Sequence, residues 1–330
     1  MPNTAQLLPT MVSHMARTAV DKVLEGSVVG SFTKVGYDVR SRLFDWDDPA
    51  SGDVSGRVVV VTGGNSGLGL EAATELARAG ATVELVARNR SRGQAAVDSI
   101  HAADPGSSVT LRVADMADLG SVRTLGRDLA AAHGRIDAVL HNAGAIIEAR
   151  TDSPQGIEAT LAAMVVGPQL LTHLLLEPLD AAVGRVVWMT SGGMYSTALH
   201  LDDLQFRVDY DGTKAYARSK RAQVDLVAEW ARRHRGPTTF HAAHPGWADT
   251  PGVASSLPTF HRLVGPLLRT PRQGVDTAVW LLCSPTAAAS SGLLWFDRRP
   301  RGVRRLPSTA TSEGDRARLW DEVEALTERS

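Results

Sequence analysis

Arg57-Val58-Val59-Val60-Val61 runs directly into Thr62-Gly63-Gly64-Asn65-Ser66-Gly67-Leu68-Gly69. The first stretch is a short run of β-branched residues, the pattern of a strand buried on both faces. Residues 66–79 have helix composition, and Gly80 suits the C-terminal cap. Glycines between a strand and a helix let the chain turn sharply. They also let backbone N–H groups approach a pyrophosphate at the helix N-terminus, where the dipole favours negative charge. A glycine cluster alone is weak evidence, and this placement is what makes it strong. The alternative is an ordinary glycine-rich turn. Gly63, Gly67 and Gly69 give the spacing T-G-x-x-x-G-x-G, not G-x-G-x-x-G, because Asn65 and Ser66 occupy the intervening positions.

Outward from this turn, strands and helices alternate. Apolar strands are expected at 82–86, 109–113, 136–140, 185–189, 238–243 and 293–296. Helices are expected at 91–101, 119–132, 212–233 and 272–283, with a long helical stretch after Pro154 that includes Leu161, Leu170 and Leu174. This alternation predicts an α/β fold, a doubly wound parallel sheet of Rossmann type covered on both faces. Residues 55–297 form one catalytic, dinucleotide-binding domain, 1–54 an N-terminal extension and 298–330 a C-terminal tail. The extension has helical character over 11–29, and Asp45-Trp46-Asp47-Asp48-Pro49 ends any helix. It is expected to pack on the body. An interfacial membrane helix is the second reading, disfavoured by its few basic residues. The tail opens with Arg298, Arg299, Arg301, Arg304 and Arg305, read as a solvated surface, and closes in a short helix.

Of 330 residues, 43% are hydrophobic and 22% charged, a globular composition. Thirty-five Lys and Arg against 36 Asp and Glu leave a formal charge of -1, which argues against a nucleic-acid partner. Cys283 is the single cysteine, so no intrachain disulfide or thiolate cluster forms. No apolar run approaches the ~18 residues of a membrane span. No secretory signal is evident. The expected location is cytoplasmic.

Further segments follow the turn in order: Asp115-Met116, His141-Asn142-Ala143-Gly144, Tyr216-Ala217-Arg218-Ser219-Lys220, and Pro245-Gly246 with Thr250 four residues on. Together with the turn they resemble the classical branch of the short-chain dehydrogenase/reductase family, over about residues 55–300. The branch containing sugar epimerases has T-G-x-x-G-x-x-G, which Ser66 breaks. A narrower resemblance, to the member 12 subgroup, rests on Ser191-Gly192-Gly193-Met194, Asp203-Leu204-Gln205, His244-Pro245-Gly246-Trp247 and Asp297-Arg298-Arg299-Pro300. The resemblance implies a cofactor cradle of Gly63, Asn65, Ser66, Gly67, Leu68 and Gly69. It adds Asp115, with Met116, at the adenine, and Asn142, Ala143 and Gly144 after the fourth strand. Pro245, Gly246 and Thr250 would hold the nicotinamide amide, and Tyr216 and Lys220 complete the set. It also implies that family members often associate through the helix carrying Tyr216, so a homo-oligomer is an open partner.

Tyr216 and Lys220, four residues apart on a helix, project from one face. A free phenol titrates near ~10, and a neighbouring ammonium is expected to lower it. Tyr216 then serves as general acid in reduction and base in oxidation. Ser191, at the end of the fifth strand, resembles the serine that bonds the substrate oxygen. Tyr195 and Tyr210 are rival phenols with no lysine four residues later. The 191–216 interval is longer than in the family, and its extra residues are expected to fold over the site. Where the family carries an asparagine that holds a proton-relay water, this chain has Met164, three residues before Gly167. Thr160, one helical turn earlier, is the candidate substitute.

NAD-selective relatives end strand two in a carboxylate, and here Ala87 is followed by Arg88-Asn89-Arg90. Arg88, with Asn89, suits the 2′-phosphate of NADP(H), which is favoured over NAD(H). Glu84 sits too far inside the strand. His241 and His244 lack a third ligand at metal-site spacing, so no metal is expected. Trp247, Trp280 and Trp295 suit core or pocket wall. The 254–270 stretch, with Leu257, Pro258, Phe260, Leu263, Val264 and Leu267, points to a lipophilic small-molecule carbonyl or alcohol. The reading is an NADP(H)-dependent oxidoreductase. The alternative, prompted by Met164, is a nucleotide-binding redox sensor or scaffold with little turnover.

Overall fold

The computed structural model describes residues 4–51, 54–256 and 258–329. Eight strands form one sheet: β1 (Val58–Thr62), β2 (Thr82–Ala87), β3 (Ser108–Val113), β4 (Ala138–His141), β5 (Arg185–Met189), β6 (Thr239–Ala243), β7 (Leu293–Phe296) and β8 (Arg299–Pro300). Their order is β3-β2-β1-β4-β5-β6-β7-β8. All pairings are parallel except β7 with β8. The order reverses between β1 and β4, and outside the C-terminal ends of those strands such sheets bind their ligands.

Three helices precede the sheet: α1 (Thr4–Gly26), α2 (Val28–Phe32) and α3 (Lys34–Leu43). Within the alternation come α4 (Gly67–Arg78), α5 (Arg90–Ala103), α6 (Leu119–Ala132), α7 (Ala159–Leu161), α8 (Gly167–Leu174), α9 (Leu176–Ala182) and α10 (Gly212–Arg233). Then follow α11 (Pro251–Ser256), α12 (Pro258–Val264), α13 (Pro271–Cys283) and α14 (Glu313–Thr327). The period of two along β1 divides the core. Val60 joins the layer under α6, α8 and α10, while Val59 and Val61 face the layer under α4, α5 and α13.

The long helical stretch after Pro154 runs from Ala159 to Leu174: Glu158 caps its start, Ala162–Val166 is wound as a π turn, and Pro168 lies in the first turn of α8. Two expectations are corrected. The helix expected over 11–29 stops at Gly26, and Ser27 caps a second helix by accepting from Gly30 N. The arginines of the tail, exposed Arg304 apart, are not a solvated run. Arg298 pairs with Asp276 at 2.8 Å and with Asp47 at 2.9 Å, Arg301 with Asp21 at 2.8 Å, and Arg305 with Glu25 at 2.5 Å. Each partner lies far away in sequence, so the charge run is one half of a tertiary interface.

That interface is a buried ionic knot. Fully buried Arg40 bonds Asp21 and Asp297, both at 2.7 Å, and Arg269 bonds Asp297 at 2.6 Å. It ties α1 and α3 to the end of β7 and to the tail. At the other end of the chain, α14 buries Leu319, Trp320, Val323 and Leu326 over α8 and α10. The Trp320 ring meets Trp230 edge-on at 4.9 Å, and Glu324 bonds Gln169 and His173.

Candidate active site

The turn after β1 needs its glycines for different reasons. Gly63 has φ of +67°, and a Cβ there would lie 2.8 Å from Ala143 Cα. A Cβ on Gly69 would run into the Gly63 carbonyl and Asn142 Nδ2. The turn is thus pressed against the segment after β4. Asn142 Nδ2 donates to Thr62 O at 3.2 Å and Gly63 O at 3.4 Å, and Thr62 Oγ1 accepts from the Asn142 and Ala143 N–H groups. Gly67, at φ of +54°, faces the Thr250 side chain, so the segment after β6 meets the turn from the other side. Exposed Ser66 caps α4 without a side-chain bond, which leaves first-turn N–H groups open to an anion. Asn65 is half-buried beside it. These are the features that a dinucleotide's phosphates require of a cradle.

Other sequence-chosen residues divide. Arg88 is exposed just beyond β2. Glu84 is spent on Arg112 and His133, both at 2.6 Å. Asn89 caps α5 by accepting from Arg92 N, so its amide oxygen is engaged. The Asp115 carboxylate accepts from Ala117 N at 2.9 Å and stays half-buried. Met116 is a core side chain, and Leu68 packs on Gly274 of α13. Gly144 is exposed, with Met164 Sδ 3.1 Å from where its Cβ would stand.

Ser191 follows β5 and caps a 3-10 turn, its Oγ accepting from Gly193 N at 3.2 Å. The same hydroxyl acts on the Tyr216 phenol, favouring its charged form. Lys220, one turn further along α10, is buried with Nζ 5.4 Å from the Tyr216 ring centre, donating to Met189 O at 2.6 Å. Loss of water pushes the Lys220 amine down to about 7. The same loss pushes the Tyr216 phenol up, and Ser191 opposes it only in part. The expected lowering of the phenol is therefore corrected: burial sets the direction. Tyr216 is a protonated phenol at neutral pH, which is the form that donates.

The rival phenols are engaged elsewhere. The Tyr210 hydroxyl lies 3.0 Å from Ile147 O and 3.2 Å from Glu158 Oε1, and Tyr195 donates to Gly302 O at 3.3 Å. Thr160 turns its hydroxyl to Tyr210 at 3.4 Å. Met164 lies in the π turn, fully buried, and its carbonyl accepts from Gln223 Nε2 at 2.7 Å. The long 191–216 interval leans on α14 through Asp202 and Arg318 at 3.0 Å, and its end is held at Ile147 by Tyr210. Its extra residues are anchored sideways.

Sequence reasoning missed one wall. Phe32, from the N-terminal extension, stacks on His244 at 4.6 Å and meets Trp247 edge-on at 5.8 Å. Its carbonyl accepts from Trp247 N at 2.8 Å. Its ring would lie 3.7 Å from a Cβ on Gly192, the residue after Ser191. No local pattern marks it, because its partners come more than 150 positions later. Pro245 is buried, and Gly246, at φ of +72°, donates to His244 Nδ1 at 2.9 Å. Phe260 of the apolar cover meets Trp247 at 5.1 Å, while Leu263 is exposed and Leu257 lies outside the described residues. Among the described residues no three His, Cys, Asp or Glu side chains group as metal ligands.

Burial holds three histidines neutral: His141 and His244 are pushed down to about 3 and His241 to about 4. An unfolded chain takes up those protons below pH ~6.5, whereas the folded chain does not. Stability is therefore expected to fall as pH drops from 7 to 5, by at most about 1.4 kcal/mol per pH unit for each histidine. Urea unfolding across that range measures it, and a flat midpoint would contradict the buried neutral rings.

Residues 57–259 match the family described as short chain dehydrogenase. The chain is 37% identical over 302 residues to dehydrogenase/reductase SDR family member 12 of Bos taurus, covering 90% of this chain and 94% of that one. It is 32% identical over 270 residues to retinol dehydrogenase 11 of Mus musculus, covering 81% and 84%. Among solved structures, a chain from Escherichia coli CFT073 named as a short chain dehydrogenase and complexed with NADPH superposes with a TM-score of 0.60. It shares 25% identity over 75% of this chain and 99% of its own.

Proposed function

The chain belongs to the short-chain dehydrogenase/reductase family, enzymes that interconvert CH–OH and C=O groups with NAD or NADP, and we propose that it works with NADP(H) on a lipophilic carbonyl compound or the matching alcohol. The observation that carries the reading is the convergence of Ser191, just beyond the C-terminal end of β5, with Tyr216 and Lys220 of α10, the buried Lys220 Nζ lying 5.4 Å from the Tyr216 ring centre. When bound, the nicotinamide supplies or accepts the hydride. Tyr216 donates the proton to the substrate oxygen in reduction, and Ser191 orients that oxygen by a second hydrogen bond. Lys220, balanced near neutrality, stabilises the phenolate whenever it carries its proton. The turn from Gly63 to Gly69 and the α4 N-terminus would hold the phosphates, with Asn142 and Ala143 fixing the turn's shape. Asp115 stands for the adenine, and Pro245, Gly246 and Thr250 for the nicotinamide amide.

The cofactor choice rests on Arg88. It is exposed at the end of β2, and the nearby carboxylate of Glu84 is already paired. A guanidinium and a 2′-phosphate make charge-assisted bonds worth about 1.5–3 kcal/mol. Arg88→Ala is expected to lower kcat/KM for NADPH roughly tenfold or more while leaving NADH unchanged. Equal wild-type values for the two cofactors would overturn the preference. The lipophilic substrate is supported by the retinol named in one relative, by Phe32 and Trp247 beside Ser191, and by the apolar cover.

A further inference from the structure

Over residues 15–26, helix α1 is turned inside out. A helix that only packs on a globular body puts its apolar stripe inward. Here the inward side is polar, with Asp21 on Arg40 and Arg301, and Glu25 on Arg305. The outward side is apolar: Met15 is 69% exposed, Val20 42% and Val23 76%, with exposed Ala19 between them. The face continues into α2, where Val28 is 45% and Val29 53% exposed.

The charges are sorted in the same sense. Asp21 and Glu25 point inward onto arginines, Asp38 accepts from Gln273, Asp45 pairs with Arg17, Asp47 with Arg298 and Asp48 with Arg78. Lys22, Lys34 and Arg42 are exposed and have no ion pair among the described residues. The segment thus presents outward a strip of apolar side chains with unneutralised positive charge, having matched its negative charge internally. That combination suits a helix lying in the plane of an anionic lipid surface. Among the described residues no single helix is long and apolar enough to cross a membrane, so the segment would lie on the surface.

We propose that the outer face of α1 and α2 docks on an anionic lipid bilayer, with Val23 and Val29 entering its interface and Lys22 and Lys34 meeting its headgroups. The buried knot around Arg40 fixes this segment to the body, so docking orients the whole molecule. Helix α2 ends at Phe32, which stacks beside the Ser191 turn, so the surface lies next to the substrate end of the site.

The test is co-sedimentation of the full chain with vesicles of phosphatidylcholine alone or with about a third phosphatidylserine, with no turnover involved. The wild type is expected to pellet with the anionic vesicles and much less with the neutral ones. Lys22→Glu with Lys34→Glu should weaken partitioning about fivefold or more per lysine. Val23→Asp with Val29→Asp should weaken it roughly tenfold or more. All four positions are exposed, so far-UV circular dichroism and the melting temperature should not move. Failure of the wild type to pellet, or equal pelleting of wild type and variants, would overturn the proposal. So would a wild-type dimer that Val23→Asp with Val29→Asp converts to monomer, which would give this face to a second copy.

Discussion

Asp297→Asn is expected to destabilise the protein by about 3–5 kcal/mol, the cost of removing one partner from a buried ion pair. Asp297 is completely buried, with Oδ1 2.6 Å from Arg269 and Oδ2 2.7 Å from Arg40. Burial alone would raise its carboxyl, but Arg269 and Arg40 more than offset this and hold it below the usual range. Without that charge two guanidinium groups face each other in a dry interior. Asparagine is the right replacement because residue 297 has φ of +52°, a region that asparagine and aspartate tolerate better than alanine. Because Arg40 and Asp21 carry the N-terminal helices, the loss should also loosen Phe32 from the site. Urea unfolding measures the effect. A loss under about 1 kcal/mol would make the knot equivalent to surface pairs and contradict the account.

Tyr216→Phe is expected to lower kcat by roughly 10²–10⁴, the usual contribution of a general acid. The substitution removes one oxygen and keeps the ring that packs near Lys220. Cofactor affinity should change far less than the rate, because Lys220 and the ring are kept and the turn and Asn142 lie on other elements. The rate should fall in both directions, since one hydroxyl gives the proton in reduction and takes it in oxidation. A fall smaller than tenfold would mean that another phenol carries the proton. Tyr210 and Tyr195 are the remaining candidates near Ser191, and both hydroxyls are already bonded to backbone carbonyls.

What was legible in the chain was local. The run Val58–Thr62 followed by its glycines announces strand, turn and helix because each signal lies within a dozen residues. The same holds for Tyr216 and Lys220, whose spacing is a helical turn. The tail arginines were misread because a charge run looks alike whether water or carboxylates surround it, and Asp21 stands 280 positions from Arg301. The π turn through Met164 lies within residues 159–166, an uncharged run with no glycine in which nothing local separates a π turn from an α-helix. The direction of the Tyr216 shift was also out of reach. It depends on how dry the pocket is, and composition along a helix does not report that. Phe32 entered the site from an extension that carries no motif.

The most direct measurement is the initial rate of NADPH oxidation by the wild type and Tyr216→Phe, side by side, against a panel of lipophilic aldehydes and ketones. The account predicts wild-type turnover that collapses in the variant. Tight NADPH binding without turnover on any member of the panel would contradict it. Met164 would then mark a chain that holds its nucleotide without passing the hydride on.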